Sequence, residues 1–133
     1  DTLVAGAGLC DDEVVDMVVR EAPQHIAELI EWGTHFDETA AGDGLLLGRE
    51  GGHSHHRIVH ALGDATGKEV MRAVIDWTER QRHITIWENA FTLDLLTSGN
   101  VCRGAIINTQ DHGRIMVWAK QTILATGGAG QVY

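Results

Sequence analysis

The hydrophobic pattern of this chain changes its period once, close to residue 82. Before that point, apolar residues recur every three or four positions within residues 11–33 and 66–81, which is typical of amphipathic helices, whereas residues 34–55 have no convincing period. After it, short apolar runs are separated by Ser-Gly-Asn at 98–100 and Gln-Asp-His-Gly at 110–113, which are common turn sequences between strands. The pattern therefore predicts helices followed by β-strands, and a length of 133 residues suits one domain.

The first predicted helix covers residues 11–33. Asp11 or Asp12 can cap its first N–H groups, and Gly33 is a natural C-terminal cap. We expect Pro23 to kink this helix or to divide it in two, because proline removes a backbone hydrogen bond.

The second predicted helix covers residues 66–81, with Thr66 as its cap and Glu69 completing a capping box. Its expected buried stripe consists of Val70, Ala73, Val74 and Trp77.

Two further segments are predicted to be strands. Residues 83–91 form the first of them. Residues 121–128 are a short apolar run that ends in glycines, which is typical of a parallel sheet whose strand ends meet a ligand.

The composition excludes several classes of function. A net charge of -9 disfavours nucleic-acid binding, because phosphate contacts need a basic surface. The only cysteines, Cys10 and Cys102, are too few for a disulfide framework and favour a reducing compartment. No apolar run reaches the length of a membrane span. The sequence therefore predicts a cytoplasmic protein without a nucleic-acid or membrane partner.

Four histidines lie within eight positions, namely His53, His55, His56 and His60. The spacing of His56 and His60 could bind a metal on a helix, but no cysteine ligand and no His-Glu-x-x-His pattern accompanies it. Histidines that are exposed or hydrogen-bonded to the protein are therefore favoured, and no metal site is predicted. A third alternative is that some of these histidines face an anionic ligand.

An acidic residue, Glu50, lies among glycines in the motif Gly-Arg-Glu-Gly-Gly at 48–52. This motif matches neither the P-loop nor the dinucleotide fingerprint, so a plain turn is favoured. From the residues alone, Glu50 is best interpreted as a solvated surface charge. Two further short sequences say little about function by themselves. They are Asn-Ala at 89–90 and Ala-Thr-Gly-Gly-Ala-Gly at 125–130.

Taken together, however, four segments resemble one family. They are DTLVAGAGLCDDEVV at 1–15, REGGHSHHRIVHALGDATGKEV at 49–70, ENAFTLDLL at 88–96 and ILATGGAGQVY at 123–133. Their order and spacing resemble the L-aspartate oxidase family, within the succinate dehydrogenase/fumarate reductase flavoprotein superfamily. The second segment is highly specific, whereas Ala-Thr-Gly-Gly is shared by many flavoproteins.

The resemblance implies an α/β fold in which residues 1–133 form an internal segment of a Rossmann-like FAD-binding domain. We expect the dinucleotide fingerprint, the capping domain and the arginine and histidine residues that hold the substrate carboxylates to lie outside this segment. The isolated chain is therefore expected to be an incomplete catalyst and a piece of a longer protein.

The resemblance also implies roles for particular residues. Glu50 corresponds to the family's active-site glutamate, which recognises the α-amino group of the substrate, and relatives that oxidise succinate typically carry an uncharged residue there. The histidines at 53–56 are expected near the substrate without an assigned role, and His56 stands where an arginine is common in relatives. The residues expected to contact FAD are Asn89 and Ala90 on the adenine side and Thr126, Gly127 and Gly128 near the flavin nucleotide.

The implied reaction is the FAD-dependent oxidation of L-aspartate to iminoaspartate, with oxygen or fumarate as electron acceptor. The product would supply quinolinate synthesis in de novo NAD production, with quinolinate synthase as a candidate partner. Two alternatives remain open at this point. They are a fumarate reductase or succinate dehydrogenase flavoprotein subunit and a non-catalytic flavin-binding fragment.

Overall fold

A computed structural model describes residues 1–130 of the chain. It contains two compact units, Asp1–Ile84 and a second unit that begins at Thr85. The last three residues of the motif at 123–133 lie outside the described residues. Within residues 1–130, none of the helices combines the length and the apolar run that crossing a membrane requires.

The first unit contains three helices and a short antiparallel hairpin. Its elements are α1 (Thr2–Ala5), α2 (Asp12–Glu31), β1 (Leu47–Gly48), β2 (Ile58–Val59) and α3 (Thr66–Glu79). In the hairpin, Leu47 pairs with Val59 and Gly48 pairs with Ile58.

Local capping sets both ends of helix α2. The Asp11 carboxylate accepts hydrogen bonds from the N–H groups of Glu13 and Val14 at 3.1 and 3.2 Å, which confirms the predicted N-cap. Gly33 follows the last turn with a φ of 99°, and its N–H donates to the Ile30 carbonyl. Pro23 lies within a single helix, so it does not divide the segment, and the kink at Pro23 stays a prediction.

Helix α3 begins where predicted, but its capping box does not form. Thr66 is the first helical residue, and the hydroxyl of Thr66 accepts a hydrogen bond from the Ala61 N–H at 3.1 Å. The Glu69 carboxylate accepts instead from the His35 N–H at 2.9 Å and from the Arg72 guanidinium at 2.6 and 2.9 Å. Both side chains therefore have other hydrogen-bond partners, which compete with the local cap.

The core of the first unit is small and combines residues of helix α3 with residues outside the helices. Phe36, Ala61 and Ala73 are buried, and the indole rings of Trp32 and Trp77 meet at 5.2 Å between centroids. Of the stripe predicted for α3, Ala73 is buried, while Val70, Val74 and Trp77 are half-buried.

The second unit contains a three-stranded antiparallel sheet in the order β3 (Ala90–Ser98), β4 (Val101–Thr109) and β5 (Gly113–Trp118). The two predicted turns, at 98–100 and 110–113, connect these strands and are confirmed. A β-bulge interrupts the β3–β4 pairing, because Leu96 pairs with Gly104 whereas Thr97 pairs with Cys102.

Two strand predictions require correction. Residues 83–89 are not a strand, since the chain turns at Glu88 and Asn89 and β3 starts at Ala90. Residues 121–128 have no regular structure, and the strand pairs within residues 1–130 are all antiparallel. A parallel strand exists only beside a hydrogen-bonded neighbour, so an apolar run alone cannot establish one.

Candidate functional site

Glu50 lies in the loop of the hairpin β1–β2. The strands close this loop through a hydrogen bond of 3.0 Å from the Arg57 N–H to the Gly48 carbonyl. Within the loop, the His53 N–H donates to the Glu50 carbonyl at 3.2 Å, which makes Glu50 the first residue of a turn. The Glu50 side chain is exposed at the rim of a cavity of about 500 Å³.

This cavity, here called the Glu50 cavity, lies between the hairpin and the start of α3. Its polar lining comes from Arg49, Glu50, His60, Asp64 and Thr66. The lining therefore contains two carboxylates and one guanidinium, so that acceptors for a bound cation outnumber the competing positive charge. An ammonium group on a small molecule fits this lining, because charge-assisted hydrogen bonds to carboxylates are strong.

An aspartate and a histidine from distant parts of the chain meet at the wall of this cavity. His60 Nδ1 donates to Asp37 Oδ2 at 2.9 Å. The Asp37 carboxylate also accepts from the N–H groups of Gly63 and Leu62 at 3.1 and 3.0 Å. These backbone bonds, first that of Gly63 and then that of Leu62, hold the pKa of Asp37 below its ordinary value, and His60 adds to this effect. Asp37 is thus a fixed carboxylate that orients the His60 ring.

The other three histidines of the cluster also have partners in the protein. His53 is hydrogen-bonded to the guanidinium of Arg57, and His55 Nδ1 lies 2.8 Å from the hydroxyl of Ser54. His56 Nδ1 donates to the Leu47 carbonyl at 3.2 Å. Among residues 1–130, no three metal-ligating side chains converge on a point that could hold an ion. Each of the four histidines therefore has a hydrogen-bond partner within the protein.

The residues expected to contact FAD all belong to the second unit. Asn89 has a φ of 52°, a left-handed conformation that asparagine adopts more readily than most residues. It borders a cavity of about 340 Å³ between residues 86–89 and the β4–β5 loop at 109–112. Ala90 follows as the first residue of β3 and pairs with Thr109 at the end of β4.

The segment that holds Thr126, Gly127 and Gly128 is exposed and has no regular structure. Gly127 has a φ of 76°, and both glycines have open space where a Cβ atom would stand. A ligand can therefore approach this backbone closely, as it can at the exposed turn of Asn89. Thr126–Gly128 are not among the residues that line the cavity beside Asn89.

Sequence reasoning missed the pairing of Asp37 with His60. The sequence left His60 open as a metal ligand, as a hydrogen-bonded or exposed histidine, or as a contact to an anionic ligand, and it indicated no role for Asp37. The two residues are 23 positions apart, and Asp37 lies in a segment without periodicity. The available signal was limited to a histidine directly after an apolar pair, Ile58 and Val59, which is too weak to identify a partner.

The whole length of the chain is similar to known proteins. The family model described as "FAD binding domain" matches residues 1–133. The L-aspartate oxidase of Streptomyces coelicolor is 48% identical over 138 residues, which is 100% of this chain and 23% of that protein. The chloroplastic L-aspartate oxidase of Arabidopsis thaliana is 45% identical over 138 residues, which is 100% of this chain and 21% of that protein.

Solved structures are also similar to this chain, at lower sequence identity. A mutant of E. coli quinol fumarate reductase superposes with a TM-score of 0.85 and 28% identity, over 99% of this chain and 22% of the other. The Mycobacterium smegmatis Sdh1 complex in its apo form has a TM-score of 0.81 and 26% identity, over 99% and 24% of the two chains. The chain thus spans about a quarter or less of the length of the proteins it matches.

Proposed function

Because the chain belongs to the FAD-binding domain family, we propose that it is part of a flavin-dependent oxidoreductase that converts L-aspartate to iminoaspartate. The similarity to proteins named L-aspartate oxidase over the full length of the chain supports this proposal. In this proposal, residues 1–133 are an internal segment of a single FAD-binding domain.

The observation that carries the proposal is the position of Glu50 in an acceptor-rich cavity. Aspartate and succinate differ by one ammonium group on a four-carbon dicarboxylate. A carboxylate at the cavity rim distinguishes them, because it forms a charge-assisted hydrogen bond with the ammonium and offers succinate no partner. Glu50 is therefore the residue that selects aspartate.

The cofactor contacts come from the backbone in the second unit. Asn89 and Ala90 would hold the adenine side of FAD, and Thr126, Gly127 and Gly128 would lie near the flavin nucleotide. When bound, FAD takes up the two electrons and the hydrogen that the substrate loses. The protein supplies binding and orientation, and the backbone positions that remain accessible at Asn89 and Gly127 are suited to that task.

The reduced enzyme needs an electron acceptor, for which we propose oxygen or fumarate. The similarity to a quinol fumarate reductase supports fumarate. Iminoaspartate would then enter quinolinate synthesis in NAD production, with quinolinate synthase as a partner. We also propose a cytoplasmic location, although several plant relatives are named chloroplastic.

A fumarate reductase or succinate dehydrogenase flavoprotein subunit is the second candidate function. The fumarate reductase structure and the Sdh1 structure favour this candidate, because their TM-scores are 0.85 and 0.81. The identities favour the first candidate, since the L-aspartate oxidases reach 40–48% whereas these structures reach 26–28%. A flavin-binding fragment without activity is expected if this segment is produced alone.

The deciding experiment uses the full-length, FAD-loaded protein under anaerobic conditions. L-Aspartate and succinate are added in separate cuvettes, and the absorbance of oxidised flavin is followed. We expect aspartate alone to bleach the flavin. Bleaching by succinate alone would overturn the proposal in favour of the second candidate.

The Glu50→Gln variant tests the role of the carboxylate. We expect a large rise in the KM for aspartate, because the amide loses the charge that holds the ammonium, while the reduction of fumarate is retained. An equal loss of both activities would contradict recognition of the amino group by Glu50. Glu38→Gln, at an exposed residue outside the lining of the Glu50 cavity, is a matched control and is expected to behave as wild type.

A further inference from the structure

The Glu50 cavity contains a second group that is suited to the amino end of the substrate. His60 shares the lining with Glu50, and Asp37 holds the Nδ1 atom of His60 at 2.9 Å. Within residues 1–130, the Nε2 atom of His60 makes no hydrogen bond to the protein. Because Nδ1–H donates to a carboxylate, the neutral ring presents a lone pair at Nε2.

The His60 ring is fixed in place on two sides. Asp37 is held by the N–H groups of Leu62 and Gly63, and so cannot swing away from the ring without breaking both bonds. On the other side the ring lies over Gly48, where an added Cβ atom would stand 3.2 Å from His60 Cδ2 and 3.7 Å from Nε2. In many enzymes, a histidine that acts as an acid–base group is oriented by a carboxylate in the same way.

The chemistry of amine oxidation requires such a group. A carbon–nitrogen double bond forms at Cα only if the nitrogen has a lone pair, and an ammonium has none. Glu50 would bind the ammonium, but a carboxylate is a weaker base than an imidazole. The other charged groups of the cavity are Arg49, a cation, and Asp64, another carboxylate. His60 is thus the lining group that is most suited to take up the proton.

We propose that His60, oriented by Asp37, accepts the proton that the substrate's ammonium group releases in the Glu50 cavity. One N–H bond of the ammonium breaks and one N–H bond forms at Nε2, which yields a neutral amine and an imidazolium. The Nε2 lone pair forms the new bond, the electron pair of the broken bond stays on the amine nitrogen, and no group changes its oxidation state in this step. His60 is then a catalytic residue and Asp37 a positioning residue, and this inference rests on the proposed oxidation of aspartate.

The test measures two half-reactions of the full-length, FAD-loaded protein by stopped-flow absorbance. In the first, L-aspartate reduces the flavin anaerobically, and in the second, fumarate reoxidises flavin that dithionite has reduced. For His60→Gln we expect the limiting rate of the first half-reaction to fall by roughly a hundredfold or more, the range typical of a lost acid–base group. The second half-reaction involves no ammonium, and its rate is expected to remain near that of wild type.

The exposed pair of His25 and Glu28 on helix α2 provides the matched control. His25 Nδ1 lies 2.9 Å from Glu28 Oε2, the same distance as in the pair of His60 and Asp37, but His25 does not line the Glu50 cavity. His25→Gln should leave both half-reactions unchanged. In His60→Gly, we expect free imidazole in the buffer to restore part of the reduction by aspartate, whereas it should not rescue Glu50→Gln.

Each result has a distinct meaning. If aspartate fails to reduce the flavin of the wild type, the proposed function is wrong. If wild type and His60→Gln are reduced equally fast by aspartate, or if both half-reactions of His60→Gln decline together, the proton-accepting role of His60 is wrong while the proposed function stands. Loss of the first half-reaction alone, with rescue of His60→Gly by imidazole, supports the inference.

Discussion

Gly104, at the β-bulge of the second unit, allows a test of how closely strands β4 and β5 pack. Gly104 is buried in β4 with a φ of 147°, and a Cβ atom there would stand 1.9 Å from the Val117 carbonyl oxygen and 2.9 Å from the Val117 carbonyl carbon. These atoms belong to the backbone of β5, which is paired with β4 and cannot move aside alone. Gly104→Ala therefore forces either separation of the two strands or a change of backbone conformation.

The expected loss combines two effects. A non-glycine residue at an unfavourable positive φ costs about 1–2 kcal/mol, and overpacking against a fixed neighbour costs about 1–3 kcal/mol. We therefore expect Gly104→Ala to lower the stability of the sheet by about 3 kcal/mol. Gly113→Ala is the matched control, since Gly113 has a φ of 64° with no atom within 4 Å of the added Cβ. It should cost only about 1 kcal/mol, from the backbone conformation alone.

Hydrogen exchange of the full-length protein measures both variants in the same peptides of β4 and β5. A loss of about 3 kcal/mol corresponds to roughly a hundredfold decrease in protection, because each 1.4 kcal/mol is about tenfold. The Gly113→Ala variant should show a decrease of about fivefold. Equal decreases in the two variants would refute the argument, since the predicted difference comes from the contact with Val117.

Three further predictions concern the buried Glu69 carboxylate, the N-cap of α2 and the proposed FAD contact at Gly128. The Arg72 guanidinium, followed by the His35 N–H, lowers the pKa of Glu69 from its ordinary 4.5 to about 2, so this stabilisation is present above pH 4.5 and is lost as the pH falls through 2. The stability deficit of Glu69→Gln in denaturant unfolding should therefore shrink between these pH values, and a constant deficit would contradict the role of charge. Asp11→Ala should cost about 1 kcal/mol and increase hydrogen exchange in the first turn of α2, where its two N-capping bonds are lost. Gly128→Ala should preserve stability, because its Cβ meets open space, while it weakens the binding of FAD to the apoprotein as measured by flavin fluorescence.

Helix α2 could be predicted from the sequence because the interactions that end it are local. Asp11 bonds to N–H groups two and three positions ahead, and Gly33 bonds back to the preceding turn. The turns of the sheet were predictable for the same reason, since Gly99 and Gly113 supply the positive φ values that these connections need.

The failed predictions involve partners that the local sequence pattern does not supply. Thr66 and Glu69 have the spacing of a capping box, but the Thr66 hydroxyl bonds to Ala61, before the helix, and the Glu69 carboxylate bonds to His35, which is 34 positions away. Residues 121–128 have the composition of a strand but no parallel neighbour within residues 1–130, and composition cannot supply one. The pairing of Asp37 with His60 was missed for the same physical reason.

The proposal has two halves, the substrate contacts in the first unit and the cofactor contacts in the second, and they differ in how strongly they constrain the sequence. Glu50 and His60 would act through side chains, and only a carboxylate and an imidazole provide the charge and the basicity that an ammonium substrate requires. Asn89 and Gly127 would act through backbone groups held at φ values of 52° and 76°. Several residues tolerate such a conformation, asparagine, aspartate and glycine among them, so this half is harder to recognise from the sequence. The side-chain half is therefore where a single substitution should change the substrate, whereas the backbone half should tolerate substitutions that keep the left-handed conformation and leave the approach to the main chain open.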